Sequence, residues 1–168
     1  MKRIVVLMLA SALAIFGFTV TPAFAQSGHF VGTPTCTITA TGLTCSGKGA
    51  GFGNEVDEAF LTATSVSAEW QCRNPGGKIA PGQGTELTNV TGEPVSITPS
   101  NGNITFEGVT LPAPPPPDPE TACPNGNWTI DPTPLSLTFT GVELVFQFEG
   151  TTVLSESLGD FTFPTTTA

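Results

Sequence analysis

The sequence predicts an all-β domain in which two sheets pack face to face, and three observations carry that expectation. No window places apolar residues at helical spacing for more than a turn. Residues 26–168 hold 25 Thr along with many Val, Ile and Phe, side chains that favour extended backbone. Clusters of Gly, Pro and Asn punctuate the chain at short intervals, as they do between the strands of sandwiches and barrels.

The first unit is Cys36-Thr37-Ile38-Thr39-Ala40-Thr41-Gly42-Leu43-Thr44-Cys45. A hairpin loop ending at Gly42 sets Ile38 opposite Leu43 and Cys36 opposite Cys45, with Gly42 free to adopt the positive φ of a hairpin exit. Glycines at 47, 49, 51 and 53 mark a turn, a strand follows over 56–62, and a second turn is expected at 63–67. Ala68, Trp70 and Cys72 then alternate with Glu69, Gln71 and Arg73, so one face of that strand is buried and the other wet. Asn74-Pro75-Gly76-Gly77 and Pro81-Gly82-Gln83-Gly84 frame a loop, because Pro lacks an amide donor and Gly tolerates positive φ.

Short strands are expected at 86–91, 95–98 and 103–111. The strongest signal is at 142–149, where Val142, Leu144, Phe146 and Phe148 share one face and Glu143, Gln147 and Glu149 the other. Leu135, Leu137 and Phe139 just before it have the opposite parity, so Gly141 marks a β-bulge. Gly150 closes a hairpin into 152–157, and 161–163 forms an edge strand. The total, about eight or nine short strands in one domain spanning 26–168, describes an immunoglobulin-like β-sandwich.

Residues 112–119, Pro-Ala-Pro-Pro-Pro-Pro-Asp-Pro, form the one low-complexity stretch. Such a run is either a polyproline helix offered to an aromatic groove or a stiff solvated loop, and the loop is preferred because the run is single, short and without a basic flank. Four cysteines read as two disulfides, for which three connectivities exist. The hairpin register favours Cys36 with Cys45, which leaves Cys72 with Cys123 around a loop holding the proline run. Loop-closure entropy alone gives roughly 3 kcal/mol for the short closure and about 4 kcal/mol for the long one. No pair has the Cys-x-x-Cys spacing of a zinc site, so no metal is expected there.

Lys2 and Arg3 precede an almost wholly apolar run over residues 4–20, and Ala23-Phe24-Ala25 follows with small residues at the positions a signal peptidase reads. Residues 1–25 therefore read as a secretory signal removed after Ala25, which places the protein in a secreted or extracytoplasmic setting with no stable membrane insertion after cleavage. Residues 26–168 keep three basic side chains, Lys48, Arg73 and Lys78, against 14 acidic ones, a net charge of −11. Nucleic acid is excluded as a partner, since its phosphates require a basic patch.

The chain is poor in catalytic parts. His29 is the single histidine and stands close to the predicted new N-terminus, where chains fray, and no Gly-x-Ser-x-Gly turn occurs. Glu55, Asp57 and Glu58, or Asp118 and Glu120, could pair for glycoside hydrolysis or gather calcium, but acids in such loops are more often solvated surface. No catalytic residue and no cofactor is assigned. Trp70 and Trp128 each lie near a cysteine of the expected long bridge, so they either pack on it as core or form a platform for sugar rings. Core packing is favoured because platforms usually include Tyr, which this chain lacks. Asn89, Asn103 and Asn127 begin glycosylation sequons, a number close to chance in a chain this rich in Ser and Thr.

At Cys72-Arg73-Asn74-Pro75-Gly76-Gly77, Pro81-Gly82-Gln83 and Cys123-Pro124-Asn125-Gly126-Asn127-Trp128, together with Pro34-Thr35-Cys36 and Cys45-Ser46-Gly47-Lys48, the chain resembles small exported bacterial proteins. The resemblance implies an exported, disulfide-braced sandwich and brings no activity, substrate or catalytic residue with it. The expectation is a non-enzymatic binding or cell-envelope module whose partner is an extracellular protein or glycan. A carbohydrate-binding module using Trp70 and Trp128, or an acid-catalysed glycoside hydrolase, stands as the alternative.

Overall fold

A computed structural model describes residues 28–164. The expected signal, its cleavage point and residues 165–168 lie outside that range. The described residues are all-β, with antiparallel pairing throughout and one short helix. In the first sheet, β3 (Gly42–Ala50) is the centre. β9 (Ile104–Pro112) takes one side of it, while β1 (His29–Phe30) and β2 (Thr35–Thr39) follow each other along the other. The second sheet runs β12 (Thr151–Pro164), β11 (Ser136–Phe148), β4 (Glu58–Glu69) and β7 (Thr85–Thr91), with β8 (Val95–Ser96) beside the start of β4. A small third sheet joins β10 (Thr129–Ile130), β5 (Gln71–Arg73) and β6 (Ile79–Pro81).

One core lies between the two larger sheets. Leu43 and Cys45 of β3 and Phe106, Val109 and Leu111 of β9 meet Leu61 and Val66 of β4 and Leu137, Phe139, Leu144 and Phe146 of β11. The rings of Phe30, Phe52 and Phe106 each pack on a neighbour in a cluster centred on Phe146, with centroids 5.3 to 5.8 Å from it. Tilted and edge-on contacts of this kind add to the area the rings bury.

The turn expected at Gly47 to Gly53 starts later than its first glycines, because β3 runs through Gly47 and Gly49. Aromatic rings lie across the strand there: a Cβ on Gly47 would stand 2.6 Å from the Phe106 ring, and one on Gly49 the same distance from Phe52. These glycines are needed for close approach and not for a change of direction. The turn expected at 63–67 is likewise absent, since β4 passes straight through. What the sequence marks instead is a kink. Burial in β4 runs Ala59, Leu61, Ala63 and then Val66, Ala68, so the alternation slips at Thr64 and Ser65.

The slip continues across the sheet. Asn89 of β7 sits at φ 52°, Gly141 of β11 at φ 60° and Gly159 of β12 at φ 85°, and the β11–β12 register shifts at the same level. The bulge expected at Gly141 is therefore one point of a transverse line of irregular residues that bends the five-stranded sheet. A Cβ at Gly141 would stand 2.5 Å from Thr64 Oγ1, and the Gly141 N–H donates to Asp160 Oδ1 at 2.7 Å, which clips β11 to β12 there.

Both bridges exist as the hairpin register favoured, Cys36 with Cys45 between directly opposed residues of β2 and β3, and Cys72 with Cys123. The second ties β5 to the end of a helix that was not expected, α1 (Pro119–Ala122). Asp118 caps it, its side chain accepting the Glu120 N–H at 2.9 Å, and Pro119 supplies a preset first turn. The proline run is not solvated along its whole length: Pro114 is buried, Ala113 packs on the core and Pro117 is half-buried, while Pro112, Pro115, Pro116 and Pro119 are exposed.

Candidate functional site

A cleft of about 860 Å³ lies on the open side of the sandwich, between the 28–36 segment and β12. It exists because the two sheets are not joined along this side. Among the described residues β12 pairs only with β11, β2 pairs only with β3, and the two edges approach without forming a ladder. Phe30, Leu154, Leu158 and Phe161, all half-buried against the core, supply apolar walls, while His29, Thr33, Thr35, Glu156 and Ser157 supply the polar ones. The exposed Val31 and Val153 adjoin wall residues on either side.

His29 is not a frayed terminal residue. It pairs with Ala50 in β1 and is held there by Phe30, whose ring packs on Phe106 and Phe146. The signal available in the sequence was the His-Phe pair followed by Gly32 and Pro34, a short strand before a turn. Nothing in the sequence could place it on one cleft with β12, because that cleft joins opposite ends of the described chain.

The residues singled out as a sugar platform do not make one. Trp70 is 3% exposed and belongs to the core, with its indole N–H donating to Thr85 Oγ1 at 2.9 Å. It cannot offer a ring face to a ligand, because it seals the end of the sandwich where β4 passes into β5. Trp128 is half-buried in the loop after α1, and no ring contact links the two indoles.

The acids are dispersed in structural roles. Asp57 Oδ2 accepts the Glu149 N–H at 2.9 Å and so ties the β3–β4 loop to the β11–β12 turn, while its Oδ1 is buried without a partner. Asp118 is a helix cap, and Asp131 pairs with Arg73 at 3.2 Å. Among the described residues no group of three or more His, Cys, Asp or Glu is gathered as metal ligands, and no helix is long and apolar enough to cross a membrane. Comparison with family models, curated proteins and solved structures found no match. In the cleft the fold brings apolar walls and a few polar groups into a concavity of ligand size.

Proposed function

We propose that the protein is an exported, non-enzymatic binding module of immunoglobulin-like topology, and that the cleft between β2 and β12 is its recognition surface. The cleft carries the reading: about 860 Å³ falls within the range of roughly 300 to 1,000 Å³ typical of ligand seats, and its walls combine apolar side chains with a few polar groups. Strand order supports the topology. Counting only the seven longer strands, the first, second and fifth form one sheet and the seventh, sixth, third and fourth the other. That is the immunoglobulin arrangement with the fourth strand moved to the opposite sheet. Export is supported by the signal-like residues 1–25 and by two disulfides in a small domain, and by the resemblance to exported bacterial proteins.

The neutral fluorophore N-phenyl-1-naphthylamine tests the seat. Saturable binding is expected, weakened about tenfold by Thr33→Trp, since Thr33 is an exposed cleft residue whose replacement fills space without touching the core. Equal binding by variant and native protein would remove the cleft from consideration. Activity on a glycoside panel that disappears with Glu58→Gln or Asp118→Asn would overturn the non-enzymatic reading.

A further inference from the structure

The edges of the two larger sheets are unequal. β7 is 7 residues long and broken by Asn89 in the left-handed region. β9 is covered where Gly92 passes so close to the Thr110 carbonyl that no Cβ would fit. β2 has 5 residues, whereas β12 has 14 and, among the described residues, no ladder on its outer side. Three register shifts interrupt the β11–β12 ladder: Val153 is extra between Thr152 and Leu154, Leu158 is extra between Ser157 and Gly159, and β11 has the extra residue between Phe139 and Val142. Bulges of this kind protect an edge against stray pairing. They leave residues 154–157 regular, and that stretch walls the cleft.

Glu156 has an unusual position within it. Leu154 stands opposite Phe146 and Glu156 opposite Leu144, and both partners are fully buried, so both side chains leave β12 on its core-facing side. An exposed carboxylate thus lies on the core-facing side of an edge strand, on the cleft wall with Leu158 and Phe161. No hydrogen bond or ion pair joins it to a described residue. β1, β2 and β12 contain no Lys or Arg to answer it.

Resting on the cleft as recognition surface, we propose that its ligand is an extended segment of a basic partner protein. The segment's backbone adds to the free edge at residues 154–157, and one Lys or Arg side chain enters the cleft to meet Glu156. Strand addition takes its affinity from main-chain hydrogen bonds and its specificity from pockets for alternate side chains. The mixed walls suit a cation of this kind, with Phe30, Leu154, Leu158 and Phe161 against the methylene stem and the carboxylate at the charged end. Charge complementarity selects the partner, because a net charge of −11 over residues 26–168 attracts a basic segment and opposes a second copy of the chain.

The test uses the purified disulfide-bonded protein, labelled with 15N, and two capped six-residue peptides, one alternating valine with lysine and the other valine with glutamate. The lysine peptide should shift the amides of residues 154–157 and slow their exchange, and the glutamate peptide should bind at least about tenfold more weakly. Glu156→Gln should cut lysine-peptide affinity by about the same factor while leaving the spectrum of the core unchanged, and N-methylation of alternate peptide bonds should abolish binding. Equal binding of both peptides, shifts confined to β7, or an unchanged affinity in Glu156→Gln would overturn the proposal. Concentration-dependent protection of residues 154–157 without peptide would overturn it in favour of a second copy. If the naphthylamine probe fills the cleft and the lysine peptide has no effect, strand addition falls and the cleft reading stands. If neither binds, both fall.

Discussion

β11 and β5 are each the middle strand of a sheet, yet they are held by different means. β11 buries Leu137, Phe139, Val142, Leu144 and Phe146 completely between two sheets, and each of those side chains contributes on the order of 1.5 to 3 kcal/mol by leaving water. β5 buries Cys72 alone. Its neighbours β6 and β10 are 3 and 2 residues long and hold no fully buried residue, with Ile130 of β10 half-buried against the core. What keeps β5 in place is the Cys72–Cys123 bridge, the Arg73–Asp131 ion pair at 3.2 Å and the backbone bonds Asp131 N–H to Gln71 O and Gly82 N–H to Trp70 O. The ion pair is exposed and contributes little. Trp70 is the boundary: its ring belongs to the sandwich core, and the chain beyond it depends on covalent and polar ties. One chain therefore contains a region whose stability comes from packing and a smaller annex whose stability comes chiefly from a cross-link.

The sharpest way to test that contrast is to remove a packing residue from the sandwich. Phe146 touches three other rings and is fully buried, so Phe146→Ala should cost about 3 to 5 kcal/mol in urea denaturation. The loss should be global, with sandwich and annex unfolding together, since β5 continues directly from β4 through Trp70.

Removing the bridge with Cys72→Ala and Cys123→Ala should act differently. The bridge spans a sequence separation of 51, for which loop-closure entropy gives about 4 kcal/mol. Much of that should appear locally. Amide exchange at 71–73, 79–81 and 129–130 should become fast while β4 and β11 stay protected, as expected when one cooperative unit opens before another. Simultaneous loss of protection in β11 would show that the annex is an integral part of the sandwich. Asp57→Ala is a smaller intervention within the packed region. It leaves the Glu149 N–H without its acceptor and should cost about 1 to 2 kcal/mol, read by urea denaturation, with exchange rising first at the β11–β12 turn.

The same contrast explains what could be read from the sequence. In the sandwich, alternation at 142–149 and the parity change at Gly141 report directly on burial, and the hairpin from Cys36 to Cys45 fixes its own register. Errors there arose where glycine serves packing instead of turning, as at Gly47 and Gly49, and where a kink in β4 resembled a turn. In the annex, few apolar residues exist to carry a pattern, so α1 and the short strands β6 and β10 left little trace. The cleft was not legible from either kind of signal. It is formed by two edges from opposite ends of the described chain, and the place of Glu156 on the cleft wall depends on the β12 bulges, which follow from pairing with β11.

The proline run gives the smallest expected effect and tests where the packed region stops. Ala113 donates its N–H to the Thr41 carbonyl at 3.0 Å and packs on the core, and Pro114 is buried, so the run begins as part of the sandwich. Pro115 and Pro116 are exposed and lead towards α1, whose end is tied back by Cys123. Pro115→Ser combined with Pro116→Gly adds freedom mainly to the unfolded chain, at about 0.4 to 1 kcal/mol per proline before any constraint is counted. The bridge closes the loop in both states and trims that gain, so the pair should cost about 1 kcal/mol or less and lower the melting temperature by roughly 2 to 4 °C. In the bridge-free protein the same pair should cost more, because the restraint on the unfolded loop is gone. Equal costs with and without the bridge would show that the run stiffens the loop independently of the cross-link. A double variant that melts like the native protein but no longer binds an extracellular partner would make Pro115 and Pro116 a recognition element instead of a spacer.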